Sequence, residues 1–427
     1  MESPMTRIHA NAFCATALTA ASFFSSLTFA NTPQAMSPSV GVETVKSTTS
    51  SENTTPLIPM ATYPIDNKPL PRFSVDASWP SLPETWMLGQ VSGLSIDKYD
   101  HVWILQRPNS LGKTDIGLAA TPSTAVCCEP APHVIRFTPD GEVAKAWGGE
   151  SNAPTIDGVN QWPVNVHGLF VDENDTVWLA GNGKDDHVSV GFTFDGEFVK
   201  GIGRRGQTNG NMDLVTLGNP ADMFMDSEHN ELVIADGYIN ARIASFDVEK
   251  ERATHVLGAY GEKPLGPTRE GDFDQSQATQ PQKQGIDPEN PLFGNIVHCI
   301  NQDSDGFIYV CDRRNNRLQI FKREKSGDIR FVKNFAVRPE TGGLGTATDV
   351  AFSPDGKYLY VADMMNGRIW IYDRKSHEKL GSIGKNGRYP GQFIWLHSID
   401  TDSEGNLYTT EVNTGRRVQK LVFQGVK

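Results

Sequence analysis

Three histidines in this 427-residue chain each follow one apolar residue and open the same phrase: "VHGLFVDENDTVWLAG" at His167, "VHCINQDSDGFIYVCD" at His298 and "LHSIDTDSEGNLYTTE" at His397. Neutral imidazoles converging on one point make a strong site for zinc or another divalent transition metal. Three protein ligands with an open fourth position are the usual catalytic arrangement for zinc. A lone histidine in such a place more often bonds water or backbone, but three in equivalent places make metal binding the simpler reading. Other reactive side chains share the frame. The spacing Asp, then Asn three on, then Arg five on is met in "DRRNNRLQI" from Asp312 and "DMMNGRIWI" from Asp363, whereas "DGYINARI" from Asp236 is one residue longer beside Tyr238. An extra residue at a strand end is expected as a bulge that re-aims a side chain, so Tyr238 either acts on a ligand or simply packs. Arg107 and Arg313 end equivalent strands on opposite sides of the repeat array, where two guanidinium groups can fork onto one carboxylate; singly, each reads as a solvated surface arginine. The expected ligand is a small molecule or peptide bearing a carboxylate.

The histidine phrase has three further copies without histidine, "VSGLSIDKYDHVWILQR" from Val91, "PADMFMDSEHNELVIADG" from Pro220 and "ATDVAFSPDGKYLYVADM" from Ala347. In chain order the key position holds Ser92, His167, Ala221, His298, Thr348 and His397, so histidine alternates with a small residue. Five residues later stands Asp97, Asp172, Asp226, Asp303, Ser353 or Asp402, followed by a polar turn and a strand rich in Val, Ile, Trp and Tyr. Two more strands complete each repeat. Four strands at a period near ~50 residues is the pattern of a propeller blade. The predicted fold is all-β: a six-bladed β-propeller of four-stranded antiparallel blades. Six equivalent positions in a ring put the three histidines about 120° apart. The sixth repeat ends early, and "RFSVD" at residues 72–76 alternates correctly to supply its missing outer strand and close the ring. Strand direction puts the long insertions 108–132, 204–219 and 262–295 over the same mouth as the histidines, Tyr238, Arg107 and Arg313.

The chain's start differs from its body. Arg7 and His9 precede "AFCATALTAASFFSSLTFA", which reads as a secretory signal peptide over residues 1–30. Residues 31–68, rich in Ser, Thr and Pro, are expected to form a disordered tether, with the propeller over 69–427. A secreted or periplasmic monomer is the expectation. The net charge of −12 disfavours nucleic acid and anionic membranes as partners. Four cysteines follow the leader. Cys127 and Cys128 are adjacent, as a strained vicinal disulfide or as free thiols, and Cys299 and Cys311 lie on the two strands of one hairpin; spacing does not fix their pairing.

The repeats "D-x-x-N-x-R" look like NHL repeats. The set "VSGLSID…R", "HGLFVD", "ADGYINARI", "VHCI…DR" and "LHSI" resembles peptidyl-α-hydroxyglycine α-amidating lyase in order and spacing over residues 72–424. That family releases glyoxylate from a hydroxylated C-terminal glycine and leaves an amide. The resemblance implies zinc on His167, His298 and His397, Tyr238 as general base, and Arg107 and Arg313 on the carboxylate. It also implies departures. The family's calcium aspartate is replaced by Ser398 beside the backbone of Leu94 and Leu169, so calcium binding is expected to be weak. Ile239 stands where animal enzymes have a disulfide cysteine, and no copper monooxygenase is attached. A related reaction on another hydroxylated small molecule fits an exported bacterial-style relative. Two readings compete: a non-catalytic NHL propeller that binds a protein or glycan, and a hydrolase resembling gluconolactonases, which use a carboxylate-rich calcium site.

Overall fold

The computed structural model describes residues 56–264, 288–294 and 296–427. The signal-peptide reading, the tether up to residue 55 and the middle of the third long insertion lie outside these residues. Six four-stranded antiparallel blades follow one another along the chain. Their innermost strands are Gln90–Ile96, Val166–Val171, Asp222–Asp226, Val297–Gln302, Ala347–Phe352 and Leu396–Thr401. The sixth blade closes as its sequence requires: Pro71–Asp76 pairs antiparallel with Val418–Val426, with Val75 opposite Leu421. Leu70, Phe73 and Val75 are buried there against blade five.

The expected tether is too long at its C-terminal end. Ile58–Pro59 adds an edge strand to Pro71–Asp76, and Thr62–Pro64 adds another to Lys379–Ile383 of blade five. The prolines Pro56, Pro59 and Pro64, which confine a strand to a sheet edge, hid these strands. Backbone pairing to a waiting edge holds them, and Leu57, Ile58 and Tyr63 remain about 40% exposed (40%, 40% and 39%).

The core is distributed around the ring. Six apolar clusters each join two neighbouring blades, as where Trp103, Val134 and Trp147 of blade one meet Val166, Leu179 and Phe192 of blade two. Each blade buries one sheet face against the next, so closure of the ring completes the core. The recurring aspartate explains the regular hairpins. Asp172 accepts the backbone N–H groups of Asn174 and Thr176 and the Trp178 indole N–H, at 2.8, 2.9 and 3.0 Å. Asp97, Asp303 and Asp402 repeat this with Trp103, Tyr309 and Tyr408. One carboxylate thus satisfies a turn and anchors an aromatic ring.

The cysteines are bonded as Cys127–Cys128 and Cys299–Cys311. A register shift between Val297 and Ile300 sets two residues of the inner strand against one of its partner, bringing Cys299 to Cys311. Disulfides of this kind persist in oxidising compartments. Among the described residues no helix is long and apolar enough to cross a membrane.

Candidate metal centre and the cavity above it

The three histidines meet on the propeller axis. Their ring centroids are 5.0, 4.8 and 4.8 Å apart, a nearly equilateral triangle, and one donor atom from each lies within 4.8 Å of the others. Among the described residues this is the one group of three or more His, Cys, Asp or Glu whose donors converge in this way. Each histidine sits where its inner strand shifts register, between Val166 and Leu169, Val297 and Ile300, and Leu396 and Ile399. Bulges increase local twist and redirect side chains, here toward the axis.

The small residues between the histidines have a matching task. His167 Nδ1 donates to the Ala221 carbonyl at 2.7 Å, and His298 Nδ1 to the Thr348 carbonyl at 2.7 Å. His397 bonds the Ser92 backbone, and its Nδ1 lies 3.4 Å from the Ser398 hydroxyl oxygen. Each histidine is therefore oriented by the key position of the next blade round. A carbonyl only accepts, so Nδ1 carries the proton and Nε2 offers its lone pair. Ser92 and Thr348 add hydroxyl bonds to the carbonyls of Val166 and Leu396, at 3.1 and 3.2 Å, just before His167 and His397. Burial pushes all three imidazoles down, His397 to about 3 and the others well below the usual range; the charge of Arg313 adds to the effect on each, and that of Arg107 on His167 and His397. They are neutral at physiological pH, as ligation demands. His298 Nε2 is buried with no hydrogen-bond partner, a cost that a cation would relieve. The residues fit a metal.

Above the triad opens a cavity of about 270 Å³ lined by Arg107, Arg313, Tyr238, His167 and His397 among others. The structure thus brings together every residue singled out from sequence, with His298 at the floor. Tyr238 reaches the axis differently from the bulge expected. Glu231–Asp236 and Arg242–Asp247 pair without a register break, and the added residue lengthens their connecting loop. Gly237 permits this, because a Cβ there would lie 2.0 Å from the Val297 carbonyl oxygen. Asn240 and Arg242 still bond Asp236, at 2.8 and 2.7 Å, so the repeat's own anchor absorbs the insertion. The Tyr238 hydroxyl lies 2.7 Å from His167 Nε2 and also bonds Asn182 and Arg313. Burial raises its pKa, and the two arginines and Asn182 pull the other way. Arg107 is held by the Val166 carbonyl, Gln90 and Asn182 at 2.7, 3.0 and 3.4 Å, and burial lowers it to about 10.

Asn182 was not anticipated, yet it touches both Arg107 and Tyr238. Its signal was present: it lies as far beyond His167 as Arg107 lies beyond Ser92 and Arg313 beyond His298, fifteen residues in each case (182 − 167, 107 − 92, 313 − 298). Gln90 and Trp395 also line the cavity and carried no repeat signal. Below the triad, Leu94, Leu169 and Ser398 border a narrow space, and the Ser398 hydroxyl donates to the Ser92 carbonyl at 3.2 Å, supplying no charge. The deeper carboxylates staple blades: Asp222 accepts from Ile300 N, Asp349 from Ile399 N and Asp400 from Ile96 N, at 3.1, 2.9 and 2.8 Å.

A family model described as "Lactonase, 7-bladed beta-propeller" matches residues 267–396, within a ring that here has six blades. The chain is 23% identical over 362 residues to NHL repeat-containing protein 3 of Homo sapiens, covering 82% of this chain and 84% of the relative, and equally similar to that of Mus musculus. Among solved structures, a streptogramin B lyase aligns over 82% of this chain and 98% of its own, at 12% identity and TM-score 0.45. A virginiamycin B lyase from Staphylococcus aureus aligns over 81% and 88%, at 13% and 0.43. The repeats, the ring and the NHL relatives together support an NHL-type β-propeller.

Proposed function

We propose that this protein is an exported, metal-dependent lyase of the amidating type, which cleaves the C–N bond of a carbinolamide that carries a carboxylate. The observation that supports it most is the set of three neutral imidazoles, each bonded to the backbone of the neighbouring blade, directly beneath Tyr238 and two arginines. His167, His298 and His397 would hold the cation, zinc by donor type. A divalent cation supplies Lewis acidity that lowers the pKa of a nearby hydroxyl. Arg107 and Arg313 bind the carboxylate and fix the substrate's orientation. Tyr238, as the phenolate that Arg107, Arg313 and Asn182 favour, would take the proton from the substrate hydroxyl; the electrons of that O–H bond become the new C=O as the C–N bond breaks, and the leaving nitrogen takes the proton back from Tyr238 to become the amide. The products are an amide and glyoxylate, with no oxidant required. Asn182 keeps Arg107 and Tyr238 in register.

The test is metal analysis of the purified protein together with glyoxylate release from α-hydroxyhippurate. About one zinc per chain and a zinc-dependent turnover are expected. A zinc-loaded but inert protein would reject the lyase activity and leave the metal centre standing, whereas absence of any transition metal after reconstitution would reject both.

A further inference from the structure

The cavity above the triad is chemically two-sided. Arg107, Arg313 and Tyr238 line it with polar groups, while Met364, Trp395 and Val412 line it with apolar ones. The apolar residues, with Leu344, form a cluster of their own apart from the six inter-blade cores. Met364 and Val412 are only 4% and 7% exposed, whereas Trp395 is half-buried against them.

Trp395 has a left-handed backbone, φ 58°. That conformation is easy for glycine or asparagine and is an outlier for a bulky side chain. Its neighbours hold it there. Ile394 N donates to Glu411 Oε1 at 3.0 Å, Val412 N donates to the Trp395 carbonyl at 3.1 Å, and Arg417 secures the Glu411 carboxylate at 2.6 and 2.9 Å. Such strain persists only where the surroundings over-determine it, and it concentrates at ligand sites. The strained residue stands two positions before the ligand His397, so the clamp that bends Trp395 also sets its ring beside the metal centre.

We propose that Met364, Trp395 and Val412 form an apolar subsite, and that the ligand is a small acid whose other end is an aromatic or branched apolar group. The acid end rests on the reading of Arg107 and Arg313 as a carboxylate grip. With its carboxylate on the arginines, such a ligand lays its apolar end on the wall that blades five and six form between them. A polyhydroxylated acid would instead strand hydroxyl groups against thioether, indole and isopropyl surfaces.

The test uses three unreactive probes on the zinc-loaded protein, with binding measured by calorimetry: benzoylglycine, acetylglycine and N-methylbenzamide. Benzoylglycine should bind at least tenfold more tightly than acetylglycine. Trp395→Asn, which keeps a residue tolerant of the left-handed backbone, should erase most of that preference while acetylglycine affinity changes less than twofold. Val412→Thr, nearly isosteric, should reduce the preference severalfold and guards against a folding defect in the first variant. Equal affinity of the two acids in the unmodified protein would overturn the subsite. Equal affinity of benzoylglycine and N-methylbenzamide would instead overturn the carboxylate grip and leave the apolar subsite standing. Failure of all three to bind would overturn both.

Discussion

Replacing Tyr238 by Phe should move metal affinity and turnover in opposite directions. His167 Nδ1 is already committed to the Ala221 carbonyl, so its one free lone pair is on Nε2, and the Tyr238 hydroxyl sits 2.7 Å from that atom. The tyrosine proton and a cation compete for the same electrons. A net hydrogen bond is worth about 0.5–1.5 kcal/mol, and leaving a buried acceptor without a partner costs about 1–3 kcal/mol. Removing the hydroxyl therefore destabilises the metal-free protein by about 1–2 kcal/mol. The metal recovers that deficit, so zinc should bind about 5–30-fold more tightly. Turnover should fall about 10²–10⁴-fold, the usual contribution of a general base. Competition with a chromophoric chelator gives the affinity, thermal melting of the metal-free form gives the stability difference, and glyoxylate release gives kcat. Weaker zinc binding by Tyr238→Phe would refute the competition and make the hydroxyl a support of the metal. Undiminished kcat would remove Tyr238 from the chemistry.

His298→Ala should abolish stoichiometric zinc in a folded protein, since it removes one of only three donors and leaves an incomplete site; full occupancy by elemental analysis would exclude His298 as a ligand. Asp400 is half-buried, and desolvation raises its carboxyl to about 6. The folded state therefore favours the protonated form: this group's stabilisation is complete below about pH 3.9 and is lost as pH rises through about 6. Asp400→Asn keeps an acceptor for Ile96 N and should gain up to about 3 kcal/mol at pH 7 relative to pH 4; a pH-independent difference in denaturant midpoints would contradict this. A chain starting at residue 56 should melt like the full chain, whereas one starting at residue 79 loses buried Leu70, Phe73 and Val75. At about 2–5 kcal/mol for each large aliphatic or aromatic side chain lost, that approaches the whole stability of a domain. A cooperative melt from the shorter protein would disprove closure by Pro71–Asp76.

The ring and its convergent histidines were legible because both are written in a repeat. Period and strand alternation recur six times and the turn aspartate five, so each blade corroborates the others, and alternation of histidine with a small residue survives any uncertainty in strand ends. What escaped depends on contacts between segments far apart in sequence. Ile58–Pro59 and Thr62–Pro64 are short and broken by proline, and exist as strands because edges of blades six and five await partners. The loop of Tyr238 could not be told from a bulge, since both add one residue; the difference lies in Asn240 and Arg242 keeping their hold on Asp236. The strain at Trp395 is a property of φ and of the Glu411–Arg417 pair behind it, and composition does not reveal it.

The alternation itself carries more information than the ligands. A histidine can offer Nε2 to a metal only if something fixes Nδ1 as the protonated atom; for His167 and His298 that acceptor is the key-position carbonyl of the next blade, and His397 bonds the backbone at the same position, Ser92. Those carbonyls must come close. A Cβ added to Gly168, next to His167, would lie 2.4 Å from the Ala221 oxygen, which shows how little room separates adjacent inner strands. A bulky side chain at Ser92, Ala221 or Thr348 would project into the same crowded axis. Histidine on every second blade and a small residue on the rest is thus one requirement seen twice. Half the ring supplies donors, and the other half sets their tautomer and leaves them space.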